Sequence, residues 1–513
     1  MYKFTGFALI CLLLLASLSF SQPSPSIVAE PVVYSEALYY NHTSHIARTS
    51  TGDLFAIWTS SGTDGQIVYS QYDDVFQFWS PPVAISTNPS GGNAHKAGIA
   101  ADDNGNLYVV WQQRNTTAED WAIYFSKYDG SSWSAPVNLT GNNYENEEAA
   151  IEVSDQGTIF VAWNTDSEPD SSEWILCLNS TDGGATWNGP DTLSSADGII
   201  GGSSIEAGRP FLARGNGGKM VCTWFEVPDG VTDEEIFINY YDGSQWTGEQ
   251  QVTEFSNNNN RYPTAAVDGS DNVYVIYRPL NPRMSLVMKK KGWSEPTWQA
   301  DADTVVGQGY SAYKPFLGID DNDGLYVVFR ADMVGDTTGL EQINYVTSAD
   351  GGATWSAQQR LSREWHDGGY VTLATRIRST GVDVLWREGY RPLQEDPDSI
   401  SIVYGHIDLV TNIGDPPAQI TKDFRLEQNY PNPFNPSTLI KYRIARRGDY
   451  ELAVFNLVGQ KIRTLINTHV LEGEHQVTWD GRNDEGIQVP SGIYFYRLKG
   501  KDLNLTRKMM LIR

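Results

Sequence analysis

Cysteine is scarce in this chain, with three in 513 residues. One of them, Cys11, lies in an N-terminal apolar run. Cys177 and Cys222 stand far apart, so no disulfide framework organises the fold. A bond between the two stays open, with buried free thiols the plainer expectation. Long helical periodicity is missing throughout. Charged residues make up only 19% and aromatics as much as 12%, a composition that excludes a disordered chain. Past residue 21 no apolar stretch is long enough to cross a membrane as a helix. The histidines, serines and mature cysteines show no metal-ligand or nucleophile spacing, so no metal and no cofactor is expected.

What is present begins with Lys3, an apolar run from Phe7 to Leu15, and small residues at Ser17, Ser19 and Ser21. This reads as a signal peptide over 1–21, cleaved before Gln22. Charge is then divided unevenly. From residue 424 on, 14 basic residues stand against 9 acidic ones, giving +5. The rest holds 23 basic and 54 acidic residues, giving −31. An acidic body repels phosphate, which argues against nucleic acid as a partner. The break in charge also marks a domain boundary.

Between those ends one cassette recurs. Strands closing on an aromatic stand at Asp53–Trp58, Gly105–Trp111, Gly157–Trp163, Gly218–Trp224, Asn272–Tyr277, Gly324–Phe329 and Val382–Trp386. The period is about 55 residues, close to a propeller blade. A short apolar strand and an Asp/Gly/Asn turn precede each copy, as in Ala97–Ala101 before Asp102. A third strand, a turn and a fourth strand near a Trp follow in every copy but the last. The missing fourth strand resembles Glu30-Pro-Val-Val-Tyr34. That N-terminal segment is expected to pair with the last repeat and hide an open sheet edge.

Two turns are sharper: Ser180-Thr-Asp-Gly-Gly-Ala-Thr-Trp187 and Ser348-Ala-Asp-Gly-Gly-Ala-Thr-Trp355. Both resemble the Asp-box of sialidase-like propellers. Tyr128–Trp133 and Tyr241–Trp246 are weaker versions. In that family the box is structural and lies away from the active site. The C-terminal stretch is similar to the type A sorting domain of the type IX secretion system. The matching residues are Asn429-Tyr-Pro-Asn-Pro-Phe-Asn-Pro436, Val454–Gln460, Val477–Gly481, Pro490–Arg497 and the ending Thr506–Arg513. That resemblance implies export through the periplasm to the outer surface, with the secretion machinery as partner of 424–513. The turn Asp480–Gly486 reads as a hairpin turn, not a calcium loop. The expected fold is all-β: a seven-bladed β-propeller with Asp-box turns over 28–410, a linker over 411–423, and an immunoglobulin-like β-sandwich over 424–513.

Strand direction brings the starts of first strands and the ends of second strands to one face. Basic residues recur there: Lys96, Arg209, Arg261 and Lys314 before first strands, Arg114, Arg278, Arg330 and Arg387 after second strands. Glu147, Glu148 and Glu226 share the face. Glu364-Trp-His-Asp-Gly-Gly-Tyr370 is rich in groups that stack on and hydrogen-bond a sugar, with Trp365 and Tyr370 expected to pack on its ring and His366 beside them. Guanidinium forks suit carboxylates. These residues make a ligand site at the channel mouth, for a glycan or another surface ligand. The bland alternative is that the bases offset an acidic body. The sialidase resemblance would make Tyr370 a nucleophile, Glu148 its base and Asp367 the acid/base. Yet the family's early Arg-Ile-Pro motif is absent. Arg209-Pro-Phe211 and Lys314-Pro-Phe316 are faint echoes of it, and true sialidases have six repeats. A secreted binding protein, a sialidase-like hydrolase and a non-catalytic scaffold remain the three readings.

Overall fold

The computed structural model describes residues 26–32, 43–409 and 425–512. Short stretches are excepted: 61–64, 74–77, 89–91, 117–118, 142–143, 168–171, 195–207, 229–232, 255–258, 281–284, 308–309, 334–340, 364–365, 378–380, 391–399, 427, 430, 445–447, 458, 471–472 and 501–502. The expected signal peptide and the linker over 411–423 lie outside them. The described residues are all-β. The chain divides into two compact units, one over Ser24–Asp415 and one holding Pro416–Arg513.

The larger unit contains seven small antiparallel sheets, numbered here in chain order. They span 46–84, 93–138, 145–192, 211–251, 260–306, 310–360 and 366–407. Among the described residues neighbouring strands follow chain order in the second to sixth sheets, each four-stranded; in the first, Phe78–Trp79 and Val83–Ala84 both pair with Ile67–Asp73. The seventh takes its outer strand from the N-terminus: Ser26–Val32 pairs antiparallel with Ile400–Ile407. The closing segment therefore starts earlier than Glu30, and Tyr34 lies outside the described residues.

The aromatics that end second strands explain why thin sheets hold together. Trp111 is buried with residues of the first and second sheets, and Trp163 with those of the second and third. Trp224 joins the third to the fourth. Phe329 joins the fifth to the sixth. Trp58 packs with Ala374, Leu385 and Ile402 of the seventh. Burying one such ring contributes about 2–3 kcal/mol, and each serves two sheets at once. A latch sits where last meets first: Arg48 Nε donates to Asp383 Oδ2 at 2.7 Å, and Tyr404 Oη to Asp383 Oδ1 at 2.8 Å. Burial pushes the Asp383 carboxyl up, but hydrogen bonds from His406 and Arg48 outweigh it and hold it at about 2.

The two Ser-x-Asp-Gly-Gly-Ala-Thr-Trp turns have matching internal bonds. Asp182 accepts from Thr186 N at 2.8 Å and Thr186 Oγ1 at 2.6 Å, and Asp350 accepts from Thr354 N at 2.9 Å and Thr354 Oγ1 at 2.5 Å. Gly184 and Gly352 have φ of 89° and 84°. A Cβ there would lie 2.5 Å from Phe125 or 2.3 Å from Met288, on the preceding sheet. The glycines allow both the turn and the close approach. Cys177 and Cys222 are free and buried in one cluster, and burial raises both thiols.

The C-terminal unit is a sandwich of a three-stranded and a four-stranded sheet. Trp479 fills its core, 5.6 Å from Phe434 and 5.2 Å from Tyr494 between ring centroids. The Asn-Pro run is structural. Asn429 is buried, accepts from Gln428 Nε2 at 2.7 Å, and donates through Nδ2 to Thr438 Oγ1 at 2.8 Å. Within the Asp480–Gly486 turn, Asn483 Oδ1 accepts from Glu485 N at 3.1 Å and from Ile487 N at 2.8 Å.

Candidate functional site

First strands run further than the sequence suggested. Lys96, Arg261 and Lys314 lie inside Asn93–Ala101, Asn260–Val267 and Tyr310–Ile319, and Asp367 and Tyr370 inside His366–Leu373. The reason is a register slip repeated in five sheets. It falls between His95 and Gly98, Glu147 and Ala150, Arg261 and Thr264, Tyr313 and Phe316, and Gly369 and Thr372. At each slip one non-glycine residue has a left-handed backbone: Lys96 (φ 53°), Glu148 (56°), Tyr262 (58°), Lys314 (53°) and Tyr370 (48°). Such conformations cost about 1–3 kcal/mol each and recur where a bulge re-aims a side chain. The alternation of apolar residues breaks there, which made a strand look like a loop. Arg209-Pro-Phe211 aligns with Lys314-Pro-Phe316, placing Arg209 at the same level of the fourth sheet.

Two arcs of this ring differ. Over the second to fourth sheets, Lys96 Nζ lies 3.1 Å from Glu147 Oε2 and 3.0 Å from Glu148 Oε1. Arg209 Nε lies 2.9 Å from Glu148 Oε2. Lys96, Glu148 and Arg209 are 5%, 6% and 1% exposed, so their charges are spent on one another inside the protein. Gln112 accepts from Glu148 N at 3.1 Å and contacts His95 Nε2 at 3.0 Å. Burial, helped by the charge of Lys96, lowers His95 to about 3 and keeps it neutral.

Over the fifth to seventh sheets the cations lie on aromatic rings and are half-buried. Lys314 Nζ is 4.7 Å from the Tyr370 centroid and 5.9 Å from that of Tyr262. Arg387 Cζ is 4.0 Å from Tyr370. Arg278 and Arg330 stand 5.4 and 5.2 Å from Tyr313. Arg330 also pairs with Glu341, and Arg261 with Glu234. Burial lowers Arg387, and the neighbouring charge of Arg330 adds to that. Asp367 Oδ1 accepts from Glu341 N at 2.9 Å. Trp365 and the His366 side chain lie outside the described residues.

Tyr262 and Tyr313 were missed in the sequence. Their signal is the position beside a cation and before proline in Arg261-Tyr-Pro263 and Tyr313-Lys-Pro315. Glu226 was noted only as an acid on this face. Burial, with Glu249 adding, pushes it up to about 7, although Trp224 Nε1 donates to its Oε2 at 2.8 Å. The spacing Trp-x-Glu, seen again in Trp386-Arg-Glu388, marks such positions.

A cavity of about 390 Å³ lies at the other end of the ring, among the turns that join first to second strands. Phe211, which lines it, meets Phe316, bringing the fourth and sixth sheets together with centroids 5.2 Å apart. The two Pro-Phe echoes are thus packing residues. Acids lining this cavity tie separate sheets together. Asp155 accepts from Gly217 N at 2.7 Å and Gly218 N at 2.6 Å, Asp323 accepts from Gly269 N at 2.7 Å, and Asp103 pairs with Arg376.

A ring of small antiparallel sheets places the larger unit among propeller-like β-proteins, and the smaller one among Ig-like domains. The FlgD Ig-like domain family matches residues 444–503. No curated protein matches the chain in sequence. Among solved structures, a polysaccharide lyase of family PL25, an ulvan lyase bound to -[GlcA(1-4)Rha3S]-, is similar. It is 12% identical, covers 76% of this chain and 96% of its own, and has a TM-score of 0.53. A protein of unknown function from Dyadobacter fermentans is 14% identical over 63% of this chain and 97% of its own, with a TM-score of 0.46. PorZ, a surface component of the type-IX secretion system of Porphyromonas gingivalis, is 14% identical over 92% of this chain and 60% of its own, at 0.40. At such identities the likeness speaks to fold.

Proposed function

We propose that the seven sheets are the blades of a closed propeller, exported to the cell exterior, that binds anionic glycans on the arc of the fifth to seventh sheets. The observation that carries this is the set of half-buried cations on tyrosine faces: Lys314 and Arg387 on Tyr370, Arg278 and Arg330 on Tyr313. Tyrosine faces suit sugar rings, and a carboxylate or sulfate suits the Arg387 guanidinium, whose charge burial and the neighbouring Arg330 disfavour. The ulvan lyase of similar fold carries an acidic glycan, which fits this reading. Residues 424–513 serve as the sorting domain and 1–21 as the signal for export. That assignment rests on their motifs, with the Ig-like match over 444–503 in support.

Hydrolysis by Tyr370, Glu148 and Asp367 is less well supported. Glu148 is already engaged by Lys96 and Arg209, and Asp367 by the Glu341 N–H. The test is a glycan array probed with the 22–423 fragment and its Lys314→Glu variant. Binding to acidic glycans that drops at least about tenfold in the variant is expected. Equal binding of acidic and neutral glycans would sink the proposal.

A further inference from the structure

Arg278, Arg330 and Arg387 occupy the same place on three successive sheets, one residue past the aromatic that ends each second strand: Tyr277, Phe329 and Trp386. Tyr313 lies between the first two of them, and Tyr370 between Arg387 and Lys314. The arrangement is one cradle built twice: a tyrosine face flanked by two cations, displaced by one sheet. Lys314 and Tyr313 are adjacent in sequence, yet each serves a different cradle. The bulge between Tyr313 and Phe316 turns Lys314 away from its neighbour. Tyr262, 5.9 Å from Lys314, extends the row.

The two cradles share no ring and no cation. We infer that the ligand is an internal stretch of a polyanionic glycan, with a carboxylate or sulfate on at least two of its sugars, and that both cradles are used at once. This rests on the glycan-binding reading above and narrows it to a chain in place of a single terminal acidic sugar. The physics is that of linked sites. Once one charged sugar is seated, the second is held at high local concentration. Affinity then rises by roughly 100-fold or more with no new kind of contact.

The experiment is calorimetric titration of the 22–423 fragment with galacturonate, tetragalacturonate, a sulfated carrageenan tetrasaccharide, sialyllactose and a neutral cello-oligosaccharide. Fragment folding is checked by thermal melting, with the full chain used if the fragment does not melt cooperatively. Tetragalacturonate or the sulfated tetrasaccharide is expected to bind at least about 100-fold tighter than galacturonate or sialyllactose. Which of the two binds separates carboxylate from sulfate recognition. Arg278→Gln and Lys314→Gln, one in each cradle, should each bring the tetramer down to nearly the monomer's affinity while leaving the melt in place. Monomer or sialyllactose binding as tightly as the tetramer would overturn the two-cradle inference and leave glycan binding standing. Preference for the neutral sugar, or no binding to any acidic one, would overturn both. Loss in only one of the two variants would also count against paired cradles.

Discussion

The two arcs of the ring start from the same bulge and end in different chemistry. Over the second to fourth sheets the bulge delivers Lys96 and Glu148, and they find each other and Arg209 in the interior. Over the fifth to seventh it delivers Tyr262, Lys314 and Tyr370, and cations meet aromatic faces near the surface. A buried ion pair is satisfied and closed to a ligand. The cations over rings are half-buried and lie nearer the surface. The same backbone slip therefore yields a structural clamp on one side and a row of cation–ring contacts, the proposed docking surface, on the other, decided by which residue sits at the bulge.

Four substitutions or conditions test that contrast. Arg209→Met strips one partner from a buried carboxylate and should lower unfolding free energy by about 3–5 kcal/mol, measured by urea denaturation. A loss below about 1 kcal/mol would erase the clamp. Acid should act on the same arc. His95 is held neutral with its pKa lowered from 6.5 to about 3, so the unfolded state binds the proton first. Stability is then lost as pH falls from 6.5 toward 3, visible in melting temperature against pH, and His95→Gln should flatten that slope. Glu226 has the opposite sign. Its folded pKa of about 7 lies above the ordinary 4.5, so wild-type stability declines as pH rises through that window. Glu226→Gln should be more stable by roughly 1–3 kcal/mol above pH 7 and equal to wild type below pH 4.5. Smallest of all, Lys314→Gln should change stability by less than about 1 kcal/mol, because its cation lies over rings at a half-buried site. A large loss there would make both arcs structural.

Much of the fold was legible because it is written locally. Seven aromatic-ended strands at a regular spacing forecast seven sheets. The Ser-x-Asp-Gly-Gly-Ala-Thr-Trp turns carry their own hydrogen bonds, and the N-terminal strand was expected at the seventh sheet. The site was legible only in outline. Lys96, Arg209, Lys314 and Arg387 were placed on one face, but nothing in their spacing said that the first two are buried in ion pairs. A positive φ at lysine, glutamate or tyrosine has no residue signature, unlike glycine in a turn. The bulges therefore passed as loops, and Tyr262 and Tyr313 passed unnoticed.

By itself the sequence determined the number and kind of strands, the aromatic wedges and the two-part organisation. Each depends on residues a few positions apart. Only the tertiary structure decided which cations meet carboxylates and which meet rings, and that Phe211 meets Phe316 past the sheet between them. Those partners come from separate sheets, and their pairing exists only once the sheets have closed on one another.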